Sequence, residues 1–219
     1  MLLLRGEARE ARLDHSFRIL GVQGAGALRI IGGALKGRQL VDWEESGIRP
    51  VRDLVRSALF NILTDFVSDS VCLDLFAGTG AVGLEALSRG AARCLFIDQS
   101  PAACGLIRRN LDALDLLEVG EVFEGSASEA TEHFVRRGRR FDLVFIDPPY
   151  FKDLAPETLR ALADGKGLTN DPVVVVASHK LESMDETVGV LSVAERRRYG
   201  DNLLWFYRRT EEGSDRGGE

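Results

Sequence analysis

A doubly wound α/β fold on a mostly parallel sheet is predicted from three observations. From residue 68 onward, short β-branched runs alternate with helical periodicities, strand then helix, again and again. A glycine-rich turn joins the first of these strands to its helix. Val173 to Ala177 is apolar on both faces, as a central parallel strand must be. The chain has 219 residues, 45% of them hydrophobic and 28% charged, enough for one large domain with a small appendage and unlike a disordered or disulfide-stapled chain. Apolar runs such as Val173 to Ala177 fall far short of the roughly 20 residues of a membrane span. The opening Met1-Leu2-Leu3-Leu4 is also shorter than the about 7 to 15 residues of a signal-peptide core, so a cytoplasmic protein is expected.

Residues 1–27 show no sustained period and are expected to be a loosely ordered extension. Residues 28–31 and 38–41 read as two short strands about the Gly32-Gly33 turn, a small N-terminal β-hairpin. Pro50 opens a helix whose apolar face carries Val51, Leu54, Val55, Ala58, Leu59, Ile62 and Leu63, while Arg49, Arg52, Asp53 and Arg56 lie opposite. Residues 28–67 are thus expected to be an N-terminal element on the substrate side, residues 68–210 the main domain and 211–219 a flexible tail. In the main domain, strands are predicted at 71–76, 93–97, 119–123, 141–146 and 173–177. The helices between them are expected at 81–89, at 101–114 with Pro101 in its first turn, up to about residue 137, and at 156–163. Two further strands are expected at 186–193 and 203–208.

The three cysteines, Cys72, Cys94 and Cys104, form no CxxC pair and read as reduced core thiols, and no metal site is expected. The net charge of -6 argues against a protein that coats DNA. The charge is uneven, however: residues 1–60 carry ten basic and seven acidic side chains, the remainder 18 and 27, so a polyanion would meet the N-terminal part. Of the 28 basic residues, 24 are arginines, which suit phosphates and guanine edges, although codon bias gives the same count.

Two motifs carry chemistry. In Asp74-Leu75-Phe76-Ala77-Gly78-Thr79-Gly80 a strand turns through glycines into a helix, where open α/β sheets bind ligands. Gly78 to Gly83 also reads as GxGxxG, so a nicotinamide or flavin dinucleotide competes. Asp74 inside the strand can order the turn and reach an ammonium group. Asp98, at the end of the next strand and 18 residues after Gly80, can accept both hydroxyls of a ribose, and Ser126-Ala127 would flank an adenine. The glycines can equally serve close strand–helix packing, with Asp98 capping the helix at Pro101. The second motif, Asp147-Pro148-Pro149-Tyr150, ends the fourth strand. There the Asp147 carboxylate and the Pro148 carbonyl can accept both hydrogens of an exocyclic amine, and Tyr150 can stack on its ring. The chemistry suggested is alkylation of that amine.

Taken together, the two motifs resemble class I S-adenosylmethionine-dependent amino methyltransferases. Arg29-Ile30-Ile31-Gly32-Gly33, Lys36-Gly37-Arg38, the segment from Arg49 to Arg56, Leu59-Phe60-Asn61 and Gly83-Leu84-Glu85-Ala86-Leu87-Ser88-Arg89-Gly90 are similar, more narrowly, to the RsmD family. That resemblance implies a class I, Rossmann-like fold and methylation of the N2 amine of a guanine in 16S ribosomal RNA within an assembling small subunit. It places Phe76, Ala77, Gly78, Thr79 and Gly80 at the methionine end of S-adenosylmethionine, Asp98 at its ribose, Ser126 and Ala127 at its adenine, and Asp147 to Tyr150 at the target base. Arg49, Arg52 and Arg56 are expected to hold RNA phosphates, with a solvated, salt-bridged face as the alternative, and a monomer is expected. One departure is the Ser178-His179-Lys180 stretch, where related sequences often carry a glutamate. An adenine-N6 methyltransferase and a dinucleotide-dependent oxidoreductase remain as alternatives.

Overall fold

The computed structural model describes residues 28–41 and 51–210. The expected extension at 1–27, the tail at 211–219, the helix opening at Pro50 and Arg49 lie outside these residues, and nothing is described of the Arg52 side chain. The elements run α1 (Val51–Ile62), α2 (Thr64–Val67), β1 (Val71–Leu75), α3 (Ala81–Ser88), β2 (Arg93–Asp98), α4 (Pro101–Ala113) and β3 (Gly120–Glu124). They continue with α5 (Ala127–Arg136), β4 (Phe141–Ile146), α6 (Leu154–Leu162), β5 (Leu168–His179), β6 (Thr187–Val188), β7 (Leu191–Tyr199) and β8 (Asn202–Arg209).

One eight-stranded sheet holds them, in the order β3-β2-β1-β4-β5-β8-β7-β6. The first five strands are parallel; β8 joins β5 antiparallel, and β7 and β6 extend that edge. Strand side chains alternate between faces. Cys72, Cys94, Phe96, Leu143, Phe145, Val173 and Val175 pack with α1, α3 and α4, whereas Leu73, Leu75, Leu95, Val144, Ile146 and Val174 pack with α5 and α6. Each central strand therefore buries both faces, which explains why these strands read as continuous apolar runs rather than alternating ones. The strand order reverses between β1 and β4, and a crevice opens beyond the carboxyl ends of these strands.

The N-terminal hairpin is slighter than its sequence predicts. Residues 28–41 fold back on themselves through one bridge, Arg29 to Gln39, with the Ile30 amide on the Arg38 carbonyl (3.0 Å) and the Leu40 amide on that of Leu28 (2.7 Å). Leu28, Ile30 and Leu40 are buried in the core shared with α1, α3 and α4, so the segment is anchored by side-chain burial rather than by a ladder.

The strand expected at 186–193 is split. Gly189 has φ +57°, and a Cβ there would lie 2.2 Å from the Ala163 carbonyl oxygen, so the chain makes a tight turn against the end of α6. β7 then runs on through Arg196, Arg197 and Arg198, which sequence reading passes over because charge masks the alternation. Arg196 lies over the Trp205 ring at 5.0 Å, its stem covering apolar surface.

Candidate functional site

The crevice is built from loops at the carboxyl ends of β1 to β4. After β1, Phe76 (φ +69°), Gly78 (φ +58°) and Gly80 (φ +77°) take left-handed backbone and turn the chain into α3. The glycines adopt this region freely. A phenylalanine there is an outlier of order 1–3 kcal/mol that surrounding structure must hold in place. Two carboxylates do so. Asp98, at the end of β2, accepts the Gly78 amide on Oδ2 (2.8 Å) and the Ser100 amide on Oδ1 (2.9 Å). Asp74, inside β1, accepts the Gly83 amide on Oδ2 (3.0 Å) and so caps α3, whose own N-cap is side-chainless Gly80. Gly83 itself answers to packing: a Cβ would lie 2.3 Å from the Phe96 ring. Thr79 Oγ1 is buried in the same turn with no hydrogen-bond partner among the described residues.

Between these loops lies a cleft of about 140 Å³, open to solvent on one side. Phe76, Ile97, Asp98 and Gln99 line it together with Ser126 and Ala127 at the start of α5, and Pro149 reaches it from beyond β4. Ser126 is the N-cap of α5 in a capping box: its hydroxyl accepts the Glu129 amide (3.3 Å) while its amide donates to Glu129 Oε2 (2.9 Å). The Ser126 hydroxyl also donates to Glu129 Oε2 (2.7 Å), and this bond, with that from the Ser126 amide, holds the Glu129 carboxyl below its usual range, so that it stays ionised at the helix N-terminus. Leu154, Glu157, Thr158 and Ala161 of α6 form the remaining wall. Sequence reasoning missed them; the available signal was that α6 follows the Asp-Pro-Pro-Tyr loop directly.

That loop abuts the cleft through Pro149. Asp147 is 4% exposed, and Pro148 is buried. The three thiols are buried in the core, Cys72 and Cys94 opposite each other on β1 and β2 and Cys104 donating to the Asp98 carbonyl (3.3 Å). Burial pushes Cys72 up to about 12 and raises Cys94 and Cys104 as well, so none is a nucleophile at neutral pH.

The family model described as Conserved hypothetical protein 95 matches residues 28–208. "Ribosomal RNA small subunit methyltransferase D" of Escherichia coli K12 is 34% identical over 190 residues, covering 87% of this chain and 94% of that protein. The chain belongs to this family, the RsmD family. "Putative rRNA methyltransferase YlbH" of Bacillus subtilis is 33% identical over 83% of this chain and 99% of its own length. A solved structure described as putative methyltransferase YhhF from Escherichia coli superposes with a TM-score of 0.74 at 34% identity, covering 84% of this chain and 98% of that one. The fold is the class I, Rossmann-like fold of methyltransferases.

Several of the segments that resemble the RsmD family in sequence meet at one buried carboxylate. Glu85 of α3 is wholly buried and accepts the amides of Ile31 and Gly32 (both 2.8 Å) and Nε of Arg89 (2.7 Å). Arg56 completes the group, its Nε 4.0 Å from Glu85 and its terminal nitrogen donating to the Arg29 carbonyl (2.7 Å). The expectation that Arg56 meets RNA phosphates is therefore corrected: it is 2% exposed and fastens α1 to residues 29–32. The helix is amphipathic, but its buried face is turned from the expected one: Leu54 is 66% exposed, whereas Val55, Arg56, Leu59, Phe60 and Leu63 are buried, which sets Arg56 inside beside Glu85. The placement of Tyr150 is corrected as well. Its ring is 7% exposed, with Phe151 and His179 beside it at 6.3 and 5.9 Å, and its hydroxyl donates to Asn202 (3.1 Å), so its face is not open to a base. The exposed ring in this loop is that of Phe151.

Proposed function

We propose that this chain transfers a methyl group from S-adenosylmethionine to the exocyclic N2 amine of a guanine in small-subunit ribosomal RNA, acting in the cytoplasm as a monomer on an assembling subunit. The coarser part, an rRNA methyltransferase that uses S-adenosylmethionine, rests on family membership. The observation that carries the reading is a shared wall: Pro149 of the Asp-Pro-Pro-Tyr loop lines the same cleft as Phe76, Asp98 and Ser126. A nucleoside cofactor in the cleft and an amine held by that loop would face each other.

The residues present fit that cofactor. The left-handed turn at Phe76, Gly78 and Gly80 lets backbone approach closely, and the Thr79 hydroxyl is buried without a partner there. A carboxylate offers about four lone-pair sites; ribose hydroxyls on Asp98 would add to its two amide bonds rather than replace them. Ala127, Leu154 and Ala161 line the cleft and would give adenine an apolar slot. Asp74 would support the turn at the methionine end. When bound, the cofactor supplies a methyl group activated by a positively charged sulfur.

On the substrate side, the Asp147 carboxylate and the Pro148 carbonyl would accept the two amine hydrogens, turning the nitrogen lone pair out of conjugation and toward the methyl. Methyl transfer to that lone pair would leave the cofactor's sulfur as a neutral thioether and the nitrogen positively charged, and Asp147 or water would take the nitrogen's proton. Burial of Asp147 strengthens its hydrogen bonds to an amine on which charge develops. Residues 28–67, with Arg49 and Arg52, are assigned to the substrate side.

The test is tritiated methyl transfer to unmodified small ribosomal subunits, followed by nucleoside analysis. N2-methylguanosine is the expected product. N6-methyladenosine would overturn the base assignment, and no incorporation into subunits, assembly intermediates or naked RNA would overturn the reading.

A further inference from the structure

Phe151 combines two features that folding alone does not favour. Its ring is 61% exposed, and its backbone has φ +59°, a left-handed conformation that is a true outlier for a bulky side chain. The conformation is held by a carboxylate that bridges two loops: Glu182 accepts the Phe151 amide on Oε1 and the His179 amide on Oε2, both at 2.7 Å. The imidazole of His179 is fixed in turn, its Nδ1 accepting the Leu181 amide (3.2 Å), and its ring centroid lies 5.0 Å from that of Phe151. Lys152 follows Phe151 in the chain, and exposed Lys180 follows His179. Lys180 is paired with Asp201 (2.7 Å), so the result is an aromatic shelf next to the Asp-Pro-Pro-Tyr loop rather than a basic patch.

We infer that the Phe151–His179 shelf stacks an unpaired RNA base adjacent to the target nucleotide, and that Glu182 is the residue positioning it. The inference rests on the proposed RNA methyltransferase reading and deepens it. A base being methylated on its amine must leave its helix, and its neighbour then needs a new stacking partner. An exposed, fixed aromatic ring meets that need, since stacking accepts any base. A protein partner docking on Phe151 and exposed Leu181 would ask for apolar bulk instead of a planar ring, and that difference can be read out.

Phe151→Asn removes the ring while suiting the left-handed backbone, Phe151→Leu keeps apolar bulk, and Phe151→Trp keeps a ring. With unmodified small subunits as substrate, Phe151→Asn and Phe151→Leu are expected to raise KM by about 5- to 150-fold, the range of a lost stacking interaction, and Phe151→Trp to stay near wild type. Cofactor affinity by calorimetry is expected to be unchanged in all three. Glu182→Gln, which replaces one accepting oxygen by a donor, is expected to raise KM by a smaller factor without altering cofactor affinity. A wild-type KM in Phe151→Asn, or a Phe151→Leu variant as good as wild type, overturns the shelf and leaves the methyltransferase reading standing.

If the wild-type protein methylates no RNA, it is the methyltransferase reading that has failed. The shelf is then judged with a single-stranded RNA carrying 2-aminopurine. A fluorescence change on binding wild type and Phe151→Trp but not Phe151→Asn supports it, and equal changes, or none, overturn it.

Discussion

Asp98 and Asp147 are both buried carboxylates at strand ends, yet their substitutions are expected to fail differently. Asp98 holds the amides of Gly78 and Ser100, so Asp98→Ala leaves two donors without their acceptor and lets the turn relax from the strained Phe76 conformation. Cofactor affinity should fall at least tenfold by calorimetry, and the melting temperature should fall with it. Asp147→Ala should leave cofactor affinity close to wild type and lower kcat severely, because its bonds to the amine strengthen only as charge develops on nitrogen. Unchanged kcat in that variant would mean the amine is held elsewhere. For Tyr150, whose hydroxyl meets Asn202, Tyr150→Phe should lose about 1 kcal/mol of stability and keep most activity. Tyr150→Ala should open a cavity beneath Phe151 and cost several times more in chemical denaturation.

At the scale of elements, the parallel core was legible in the sequence because its signals are local. Apolar runs bounded by glycines, Pro101 behind the capping Ser100 and the glycine turn before Ala81 mark their strands and helices within a residue or two. What was not legible depends on partners distant in the chain. β5 starts at Leu168 instead of 173 because its first residues pair opposite an irregularity in β4 between Phe141 and Leu143, a place where Pro172 is tolerated in a strand. Of the candidate site, the glycine turn, Asp98, Ser126 and the Asp-Pro-Pro-Tyr loop were legible as motifs. Arg56 was misplaced, since nothing local reveals that Glu85, at 29 residues' remove, lies within reach of it. This yields a prediction of the opposite kind from phosphate binding: Arg56→Ala should lower stability by about 1.5 to 3 kcal/mol, by loss of its buried charged hydrogen bonding, with no change in the salt dependence of RNA binding. A flattened salt dependence with unchanged stability would restore the surface role.

The whole molecule keeps groups neutral in its core that water would ionise in base. Burial pushes Cys72 up to about 12 and raises Tyr207, whose hydroxyl donates to the Asp185 carbonyl (2.7 Å). For an acid raised on folding, the unfolded chain releases its proton first, so this stability is fully present below the unfolded values of 9.0 and 10.0 and is lost as pH rises above them. The urea midpoint should therefore fall steeply above about pH 9, and less steeply above pH 10 in Tyr207→Phe. An equal slope in both proteins would place the alkaline loss elsewhere. The strand order has a consequence for synthesis. β8 is made after β5, β6 and β7, yet it lies between β5 and β7 and is what joins the outer hairpin to the parallel sheet. On a translating ribosome the apolar edge of β5 must wait, uncovered, until residues 202–209 emerge, and the β6–β7 ribbon has nowhere to dock before then. The sheet thus closes from the middle only when β8 arrives, which makes the nascent chain most prone to aggregation just before β8 is released.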